Sequence, residues 1–285
     1  MEAKRAARML FFLLVFVLLF LPLWGFYVSV RPPKLVSRIT PENLGLAYEA
    51  VSFTTEDGVE LSGWFIPATG GKTNKTVIGL HGYPADKGNI LPVLAFLAAR
   101  YNLMLFDFRY LGASGGRYTT IGARETRDLA AAVAFLRSRG ITEVGVWGFS
   151  MGGAVALMAA PDLPEIRAVV SESSYARLDL LAPVLFRIPL LRYPLGWLTG
   201  LWARVLLGID LAKVSPMESA RRLRVPALIL HSRNDHVIPF EHALLLKEAL
   251  KENPRAEFWF ADDLFHGQVG PDYERRIAGF FEASL

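Results

Sequence analysis

The sequence predicts an α/β protein, with a mainly parallel sheet covered by helices, that follows an apolar N-terminal segment. From about residue 50 to the end, short apolar stretches rich in β-branched and aromatic residues alternate with helical stretches. That alternation is typical of parallel strands buried on both faces. The chain has 285 residues, 52% of them hydrophobic and 20% charged, so it can build a large core and does not have the composition of a disordered protein.

The first element is an uncharged run of 22 residues, Met9 to Val30, bounded by Arg8 and Arg31. A helix of that length spans a bilayer. An uncleaved anchor fits the run better than a cleaved signal, because it ends in bulky residues and lacks the small residues that a signal peptidase requires. A cleaved signal and a buried core helix are the alternatives. We predict a membrane anchor and tether over residues 1–40 and the folded domain over 41–285.

The formal net charge of +4 is concentrated in the N-terminal segment. Residues 1–38 carry six basic side chains and one acidic, which leaves 25 basic and 26 acidic side chains in the rest of the chain. This near-neutral body argues against a nucleic-acid partner, which needs clustered Lys and Arg. Three basic residues precede the apolar run and three follow it, so the positive-inside rule leaves the side of the membrane open. An extracytoplasmic catalytic domain is slightly favoured.

The strands begin with a hairpin. Residues 51–55 and 59–66 flank Asp57-Gly58, a turn dipeptide that predicts an antiparallel edge. Further strands are predicted at 76–80, 103–106, 144–147, 168–171, 227–230 and 256–260. Helices are predicted between them at 90–99, 125–139 and 151–160.

Residues 174–222 break the alternation, because they insert far more chain than one connecting helix needs. The middle of this block is rich in Leu, Trp, Phe and Tyr and is interrupted by prolines and by arginines such as Arg192 and Arg204, which argues against a second membrane span. We predict a helical cap insertion. Its apolar side chains either form ordinary core or make a lid that receives an acyl chain or lies on a bilayer.

Ser150 is the candidate nucleophile. It stands in Gly148-Phe149-Ser150-Met151-Gly152, after a predicted strand and before an Ala-rich helix, which is the context of a nucleophile elbow. The turn is crowded, so we expect any side chain at Gly148 or Gly152 to collide with the neighbouring strand or helix.

An activated serine needs a base, and the base needs an acid, in the chain order Ser, Asp or Glu, His. His266 lies in the loop after the last predicted strand and is the candidate base. Asp235, in the loop after the preceding strand, is the candidate acid, and Glu172 is its rival because it also follows a strand. Three other histidines are expected to be structural: His231, His236 and His242.

The tetrahedral intermediate of acyl transfer carries an oxyanion, which calls for two backbone N–H groups. One should belong to Met151, the residue after the nucleophile. The other should come from His81-Gly82-Tyr83-Pro84, where Gly82 lets the backbone approach and Tyr83 supplies the donor. A plain strand-to-helix loop is the alternative interpretation of that segment.

Six stretches carry a family resemblance: FTTEDGVELSGWF, LHGYPADKGN, DFRYLGASGG, GVWGFSMGG, VPALILHSRNDHVIP and FHGQ. From residue 45 onward the chain resembles the serine α/β-hydrolases, most closely the Bem46-like, membrane-anchored bacterial members grouped with serine aminopeptidases. The resemblance implies the α/β-hydrolase fold with an eight-stranded sheet, a Ser150-Asp235-His266 triad, and oxyanion donors at Tyr83 and Met151. The chain departs from the family pattern at two places. Tyr110-Leu111 stands where Gly-His is usual, and Ser232 stands where Gly is usual.

These observations predict a serine hydrolase that needs no metal or organic cofactor. Its substrate would be a small-molecule or lipid-like carboxylic ester or thioester, because the predicted cap is apolar and poor in acids. A serine aminopeptidase is the alternative, although it would need carboxylates to hold the substrate ammonium. A membrane-tethered binding module without activity is less favoured, because all three triad residue types occur in order. The chain has no cysteine, which excludes a thiol nucleophile and a Cys-ligated zinc site.

Overall fold

The structure, a computed structural model, describes residues 2–186 and 190–285 and contains an eight-stranded sheet. The strands are β1 (Glu49–Thr54), β2 (Glu60–Ile66), β3 (Lys75–Leu80), β4 (Asn102–Phe106), β5 (Glu143–Phe149), β6 (Ile166–Glu172), β7 (Ala227–Ser232) and β8 (Ala256–Ala261). Their order across the sheet is β1-β2-β4-β3-β5-β6-β7-β8. β2 pairs antiparallel with β1 and with β4, and all the other pairs are parallel. The predicted fold class is confirmed.

The α-helices are α1 (Glu2–Val30), α2 (Lys87–Leu94), α3 (Glu125–Ser138), α4 (Met151–Ala159), α5 (Arg192–Leu207), α6 (Pro216–Ala220), α7 (Glu241–Ala249) and α8 (Tyr273–Ser284). Short 3₁₀ helices lie at Pro41–Leu44, Ala95–Ala99, Ala160–Asp162, Leu178–Leu180, Ala182–Leu185 and Leu211–Lys213. The helix predicted at 90–99 begins earlier, because the Asp86 side chain caps α2 by accepting the Asn89 N–H. It also changes to 3₁₀ geometry at Ala95.

The sheet carries apolar core on both faces. One core contains Ile78 and Leu80 of β3 with side chains of α3, α4 and α7, and the other contains Val77 of β3 with side chains of α2 and α8. Successive residues of a strand point to opposite faces, so a strand buried on both sides reads as a continuous apolar run. This explains why the central strands could be placed from the sequence.

The chain divides into two compact units. The sheet unit comprises Pro33–Ala176 and Ser215–Leu285, and the α1–α5 unit comprises Met1–Pro32 and Arg177–Val214. The predicted insertion at 174–222 therefore extends at both ends into the sheet unit, which includes α6. Within Arg177–Val214 the described residues form one long helix, α5, with three 3₁₀ helices, and residues 187–189 lie outside the described part of the chain.

α1 is long and apolar enough to cross a membrane. Large apolar side chains along it are exposed, among them Phe12, Phe16, Phe20 and Trp24. The tether that follows α1 is bound to the sheet unit from Pro33 onward. The Ser37 N–H donates to Asp86 Oδ2 at 2.6 Å, and Lys34 Nζ donates to the Ser114 carbonyl at 2.9 Å.

The first turn of α2 is fixed to the end of β4 by a buried ion pair. Asp107 Oδ2 lies 2.6 Å from Lys87 Nζ, and Asp107 Oδ1 accepts the Lys87 N–H at 2.8 Å. The loop that precedes α2 carries His81-Gly82-Tyr83-Pro84. Asp107, the first residue of the DFRYLGASGG stretch, therefore fixes the position of α2, the helix that follows this loop.

Candidate active site

Ser150 lies at a strained turn between β5 and α4. Its backbone has φ 54° and ψ −115°, a conformation that costs energy for any residue with a side chain. The Ser150 N–H donates to the Glu172 carbonyl at 2.8 Å, which ties the turn to the end of the neighbouring strand β6. The sequence context predicted for Ser150, a strand followed by a sharp turn and a helix, is the one observed.

The glycines on either side of Ser150 stand where two backbones meet. A Cβ added at Gly148 would overlap the backbone of Gly152 and lie 2.6 Å from Gly153 N, and one added at Gly152 would overlap the Leu80 carbonyl. The collision expected from the sequence is confirmed, since these neighbours are backbone atoms that cannot rotate away.

The loop after β3 also approaches Ser150, the candidate nucleophile. A Cβ added at Gly82 would lie 2.9 Å from Phe149 Cδ1 and 3.3 Å from Ser150 Cβ. A side chain at position 82 would force the Phe149 ring to shift, so glycine makes this approach easiest. Tyr83, the next residue, is half-buried, and burial raises the pKa of its phenol to about 12.

Asp235 and His266 are in direct contact. Asp235 Oδ2 lies 2.6 Å from His266 Nδ1, and Asp235 Oδ1 accepts the N–H groups of Val237 and Ile238, each at 2.8 Å. Burial disfavours the charged carboxylate, but the hydrogen bonds from His266 and from the two N–H groups outweigh it, so the pKa of Asp235 is lowered. A carboxylate only accepts hydrogen bonds, so Nδ1 of His266 carries a proton and Nε2 is left to take one.

Phe149, the residue before Ser150, brings the His266 loop to the elbow. Its ring centroid lies 4.7 Å from that of His266. Gly267 has φ 79°, and a Cβ added there would lie 3.1 Å from Phe149 Cζ. The sequence offered no signal for this contact, because Phe149 occupies a variable position of the elbow pattern.

Glu172, the rival candidate for the acid that orients His266, is hydrogen-bonded to Tyr273. Its Oε2 accepts the Tyr273 hydroxyl at 2.5 Å, and the Trp147 indole N–H donates to that hydroxyl at 2.9 Å. Burial raises the pKa of Glu172 to about 7, and the hydrogen bond from Tyr273 only partly offsets it. Of the two rival acids, Asp235 contacts His266, and Glu172 belongs to a buried network below the elbow.

The three histidines that were expected to be structural, His231, His236 and His242, contact residues outside the candidate triad. His231 Nε2 bonds the Ile238 carbonyl at 2.9 Å, and burial lowers the pKa of this ring. His242 Nδ1 accepts the Ala176 N–H at 2.9 Å, and the His236 ring lies 5.7 Å from that of Phe265. In the described part of the chain, no group of three or more His, Asp or Glu side chains could hold a metal ion.

Known proteins share this arrangement of strands and helices. A profile of the alpha/beta hydrolase fold matches residues 75–208. An uncharacterized Escherichia coli protein, YfhR, is 30% identical over 251 residues, which cover 83% of this chain and 81% of YfhR. The solved Pyrococcus furiosus esterase Pf2001 is 32% identical with a TM-score of 0.75, and the match covers 90% of this chain and 99% of the esterase.

The chain belongs to the α/β-hydrolase fold family. A partial match extends to a thiohydrolase, aneE of Aspergillus aculeatus, which is 32% identical over 140 residues covering 47% of this chain and 43% of that protein. The fold and the matches to an esterase and a thiohydrolase identify this chain as a hydrolase. Its assignment to the Bem46-like members stays a prediction.

The structure shows the local surroundings of the two positions at which this α/β hydrolase departs from the family pattern. Tyr110, where Gly is usual, has φ 68° and so adopts the left-handed conformation that glycine would adopt more easily. Ser232, also in place of Gly, lies at the end of β7, and its Oγ accepts the N–H groups of Asn234 and Leu264 at 3.2 Å each. The Ser232 hydroxyl thereby connects the Asp235 loop to the His266 loop.

Glu172→Gln tests the buried carboxyl of this α/β hydrolase. The folded pKa of about 7 lies above the ordinary 4.5, so the folded state retains the proton longer than the unfolded state. The carboxyl therefore destabilises the fold progressively as pH rises from about 4.5 to 7, by up to about 3 kcal/mol. Relative to the parent, the Gln variant should gain unfolding free energy between pH 5 and pH 8, measured by denaturant titration in detergent. An equal difference at both pH values would contradict this.

Ser232→Gly tests the bridge between the two loops of the α/β hydrolase. Loss of the hydroxyl removes two hydrogen bonds worth about 1 kcal/mol each and should loosen His266, so kcat should fall roughly fivefold or more while KM stays nearly constant. Asp262→Ala is the matched control, because it removes only the exposed ion pair with Arg233 in the same region. Steady-state ester kinetics measure both variants, and parental kcat in Ser232→Gly would show that the bridge is dispensable.

Proposed function

We propose that the chain hydrolyses carboxylic esters or thioesters through an acyl-enzyme on Ser150, with His266 as the base and Asp235 as the acid. The observation that carries the proposal is the 2.6 Å contact between Asp235 and His266, whose ring also lies against Phe149, the neighbour of Ser150. A nucleophile on a strained turn, next to a histidine oriented by a carboxylate, is the arrangement required for nucleophilic acyl transfer.

In the first half-reaction, His266 Nε2 takes the hydroxyl proton of Ser150 as Oγ attacks the substrate carbonyl carbon. The tetrahedral intermediate collapses, the bond to the alcohol or thiol breaks, and His266 returns the proton to that leaving group. In the second, water loses a proton to His266 and attacks the acyl-enzyme, which releases the acid and restores Ser150. Asp235 remains ionised throughout and stabilises the imidazolium.

The proposed oxyanion donors are the backbone N–H groups of Met151 and Tyr83. Met151 is the first residue of α4, and the first N–H groups of a helix lack a partner within the helix. Tyr83 follows Gly82, whose backbone lies against Ser150. Two such donors preorganised beside the nucleophile stabilise the developing oxyanion.

Two relatives support esters or thioesters as the substrate class. The esterase Pf2001 matches over almost its whole length, and the thiohydrolase aneE matches over part of it. Solved acylaminoacyl peptidases of Pyrococcus horikoshii are 20% identical and share the fold alone. The test of the proposal therefore includes an amide substrate, and a preference for that substrate would contradict ester hydrolysis.

We further propose that α1 anchors the chain in a membrane as an uncleaved single-pass helix. Its length and composition suffice to span a bilayer, and the side chains exposed along residues 9–30 are apolar or aromatic. Trp24 and Tyr27 stand near its end, as interfacial aromatic residues often do. The near-neutral charge of residues 39–285 gives no reason to add a nucleic-acid partner.

The proposed chemistry is tested with nitrophenyl esters of increasing chain length and an aminoacyl nitroanilide. The parent chain should turn over the esters, Ser150→Ala should be inactive, and Asp235→Asn should lose roughly 10²- to 10⁴-fold in kcat, because the imidazole loses its anionic partner. Glu172→Gln is the matched control and should retain most of the parental kcat. Preference for the nitroanilide would favour a peptidase, and loss in Glu172→Gln without loss in Asp235→Asn would transfer the role of the acid.

The proposed anchor is tested by membrane fractionation. The full chain should sediment with membranes and resist carbonate extraction, with the N-terminus intact by mass spectrometry, because an inserted span is not released by salt or alkali. A variant lacking residues 2–32 should become extractable by carbonate and still hydrolyse esters, since the sheet unit begins at Pro33. Cleavage after the apolar run, or extraction of the intact full chain, would contradict the anchor.

A further inference from the structure

α5 buries mainly small residues, with Leu195 as a large buried exception, and leaves most of its large apolar residues exposed. Its buried residues are Leu195, Gly196, Thr199 and Ala203. The exposed side carries Leu190, just before the helix, with Tyr193, Trp197, Leu201, Val205 and Leu206, which we call the outer α5 face. In water a helix arranges its large apolar residues in the opposite way, towards the protein.

The inner side of α5 is covered within the α1–α5 unit. α5 packs against α1 and against the 3₁₀ helix Ala182–Leu185. A Cβ added at Gly196 would lie 2.8 Å from Pro183 N, so the absence of a side chain allows this close packing. Small residues between helices, with large apolar residues outside, are typical of helices packed in a membrane.

The part of α1 that takes part in this packing is its C-terminal end. Pro22 and Phe26 are the buried residues there, and Gly25 lies against the Phe186 ring, 3.2 Å from the position of an added Cβ. Trp24 and Tyr27 are exposed on the same turns of the helix and stack on each other, with ring centroids 5.9 Å apart. Aromatic residues of this kind mark the level of the lipid headgroups.

The exposure of the outer α5 face is large. Leu190 is 89% exposed, Trp197 68%, Val205 63% and Tyr193 60%. A continuous apolar patch of this kind on a soluble protein marks an interaction surface. Because α1 and α5 pack side by side in one unit, the bilayer that would surround the end of α1 is the partner that also reaches α5.

We propose that α5 lies in the membrane interface with the outer α5 face in contact with lipid. This inference rests on the proposed anchoring of α1. At 16 residues α5 is about 24 Å long, shorter than the hydrocarbon core. Arg192 and Arg204 are exposed on it, and their long side chains reach the phosphate groups from an interfacial position. The chain thus contacts the bilayer through a span and through a second, interfacial helix.

The absence of cysteine from the chain makes site-specific labelling direct. Single cysteines replace Trp197 and Val205 on the outer α5 face, Phe16 on the exposed side of α1, and Lys251 on the surface of the sheet unit. Each full-length variant is labelled with a polarity-sensitive fluorophore and reconstituted in phosphatidylcholine–phosphatidylglycerol vesicles, with and without nitroxide-bearing lipids.

Labels at residues 197 and 205 should be blue-shifted and should lose about half or more of their fluorescence to the lipid nitroxides, while the label at 251 is unaffected. Quenching at 16 without quenching at 197 and 205 would overturn the lipid-facing α5 and leave the anchor standing. No quenching at 16 would overturn both proposals. Crosslinking between copies of Trp197→Cys without lipid quenching would assign the face to a second copy of the chain and overturn the inference.

A matched pair of charged variants makes the test independent of any one cysteine. With the label at 205, Trp197→Glu should reduce quenching by lipid nitroxides, because it places a charge in the apolar layer. Leu244→Glu, which places the same charge at an exposed apolar position of α7 in the sheet unit, should leave it unchanged. Equal quenching in both variants, together with equal fluorescence spectra, would count against lipid contact at the outer α5 face.

Discussion

The site depends on one packing constraint, the contact of backbone with backbone where β3, β5 and α4 meet at Ser150. Gly148 and Gly152 have no room for a Cβ, and Gly82 brings the loop after β3 to within contact of Ser150. The positive φ of Ser150 is the local strain that goes with this crowding. The strain persists because both flanking elements are buried in the core of the sheet unit, so the surroundings leave the turn no alternative conformation.

The rest of the site is assembled from strand ends that are distant in sequence. Asp235 follows β7 and His266 follows β8, and parallel pairing of β7 with β8 brings their loops to one edge of the sheet. The Asp235 carboxylate is held by two backbone N–H groups as well as by His266, so its orientation does not depend on the imidazole alone. A carboxylate fixed in this way holds the His266 ring in one orientation, which the proposed mechanism requires.

Local patterns were sufficient for much of this architecture. The strands, the elbow at Ser150 and the candidate base His266 depend on apolar runs, glycine spacing and chain order, which are visible within a few residues. The partner of Glu172 was not visible, because Tyr273 lies about a hundred residues further along and reaches it only in the folded sheet. The roles of Phe149 and Ser232 were hidden for the same reason, and the early start of α2 depends on a side-chain cap at Asp86 whose partners include Ser37 of the tether.

The central claim is that Ser150 is the nucleophile of an acyl-transferring hydrolase. The most direct measurement is peptide mapping by mass spectrometry after the full chain has reacted with a fluorophosphonate, which modifies activated serines. Ser173 is the natural comparison, since it also follows a strand of the sheet, has a positive φ of 49° and is buried. The account predicts modification of the peptide that carries Ser150, its loss in Ser150→Ala and its persistence in Ser173→Ala. Modification of any other serine in its place, or equal labelling of Ser150→Ala, would contradict the account.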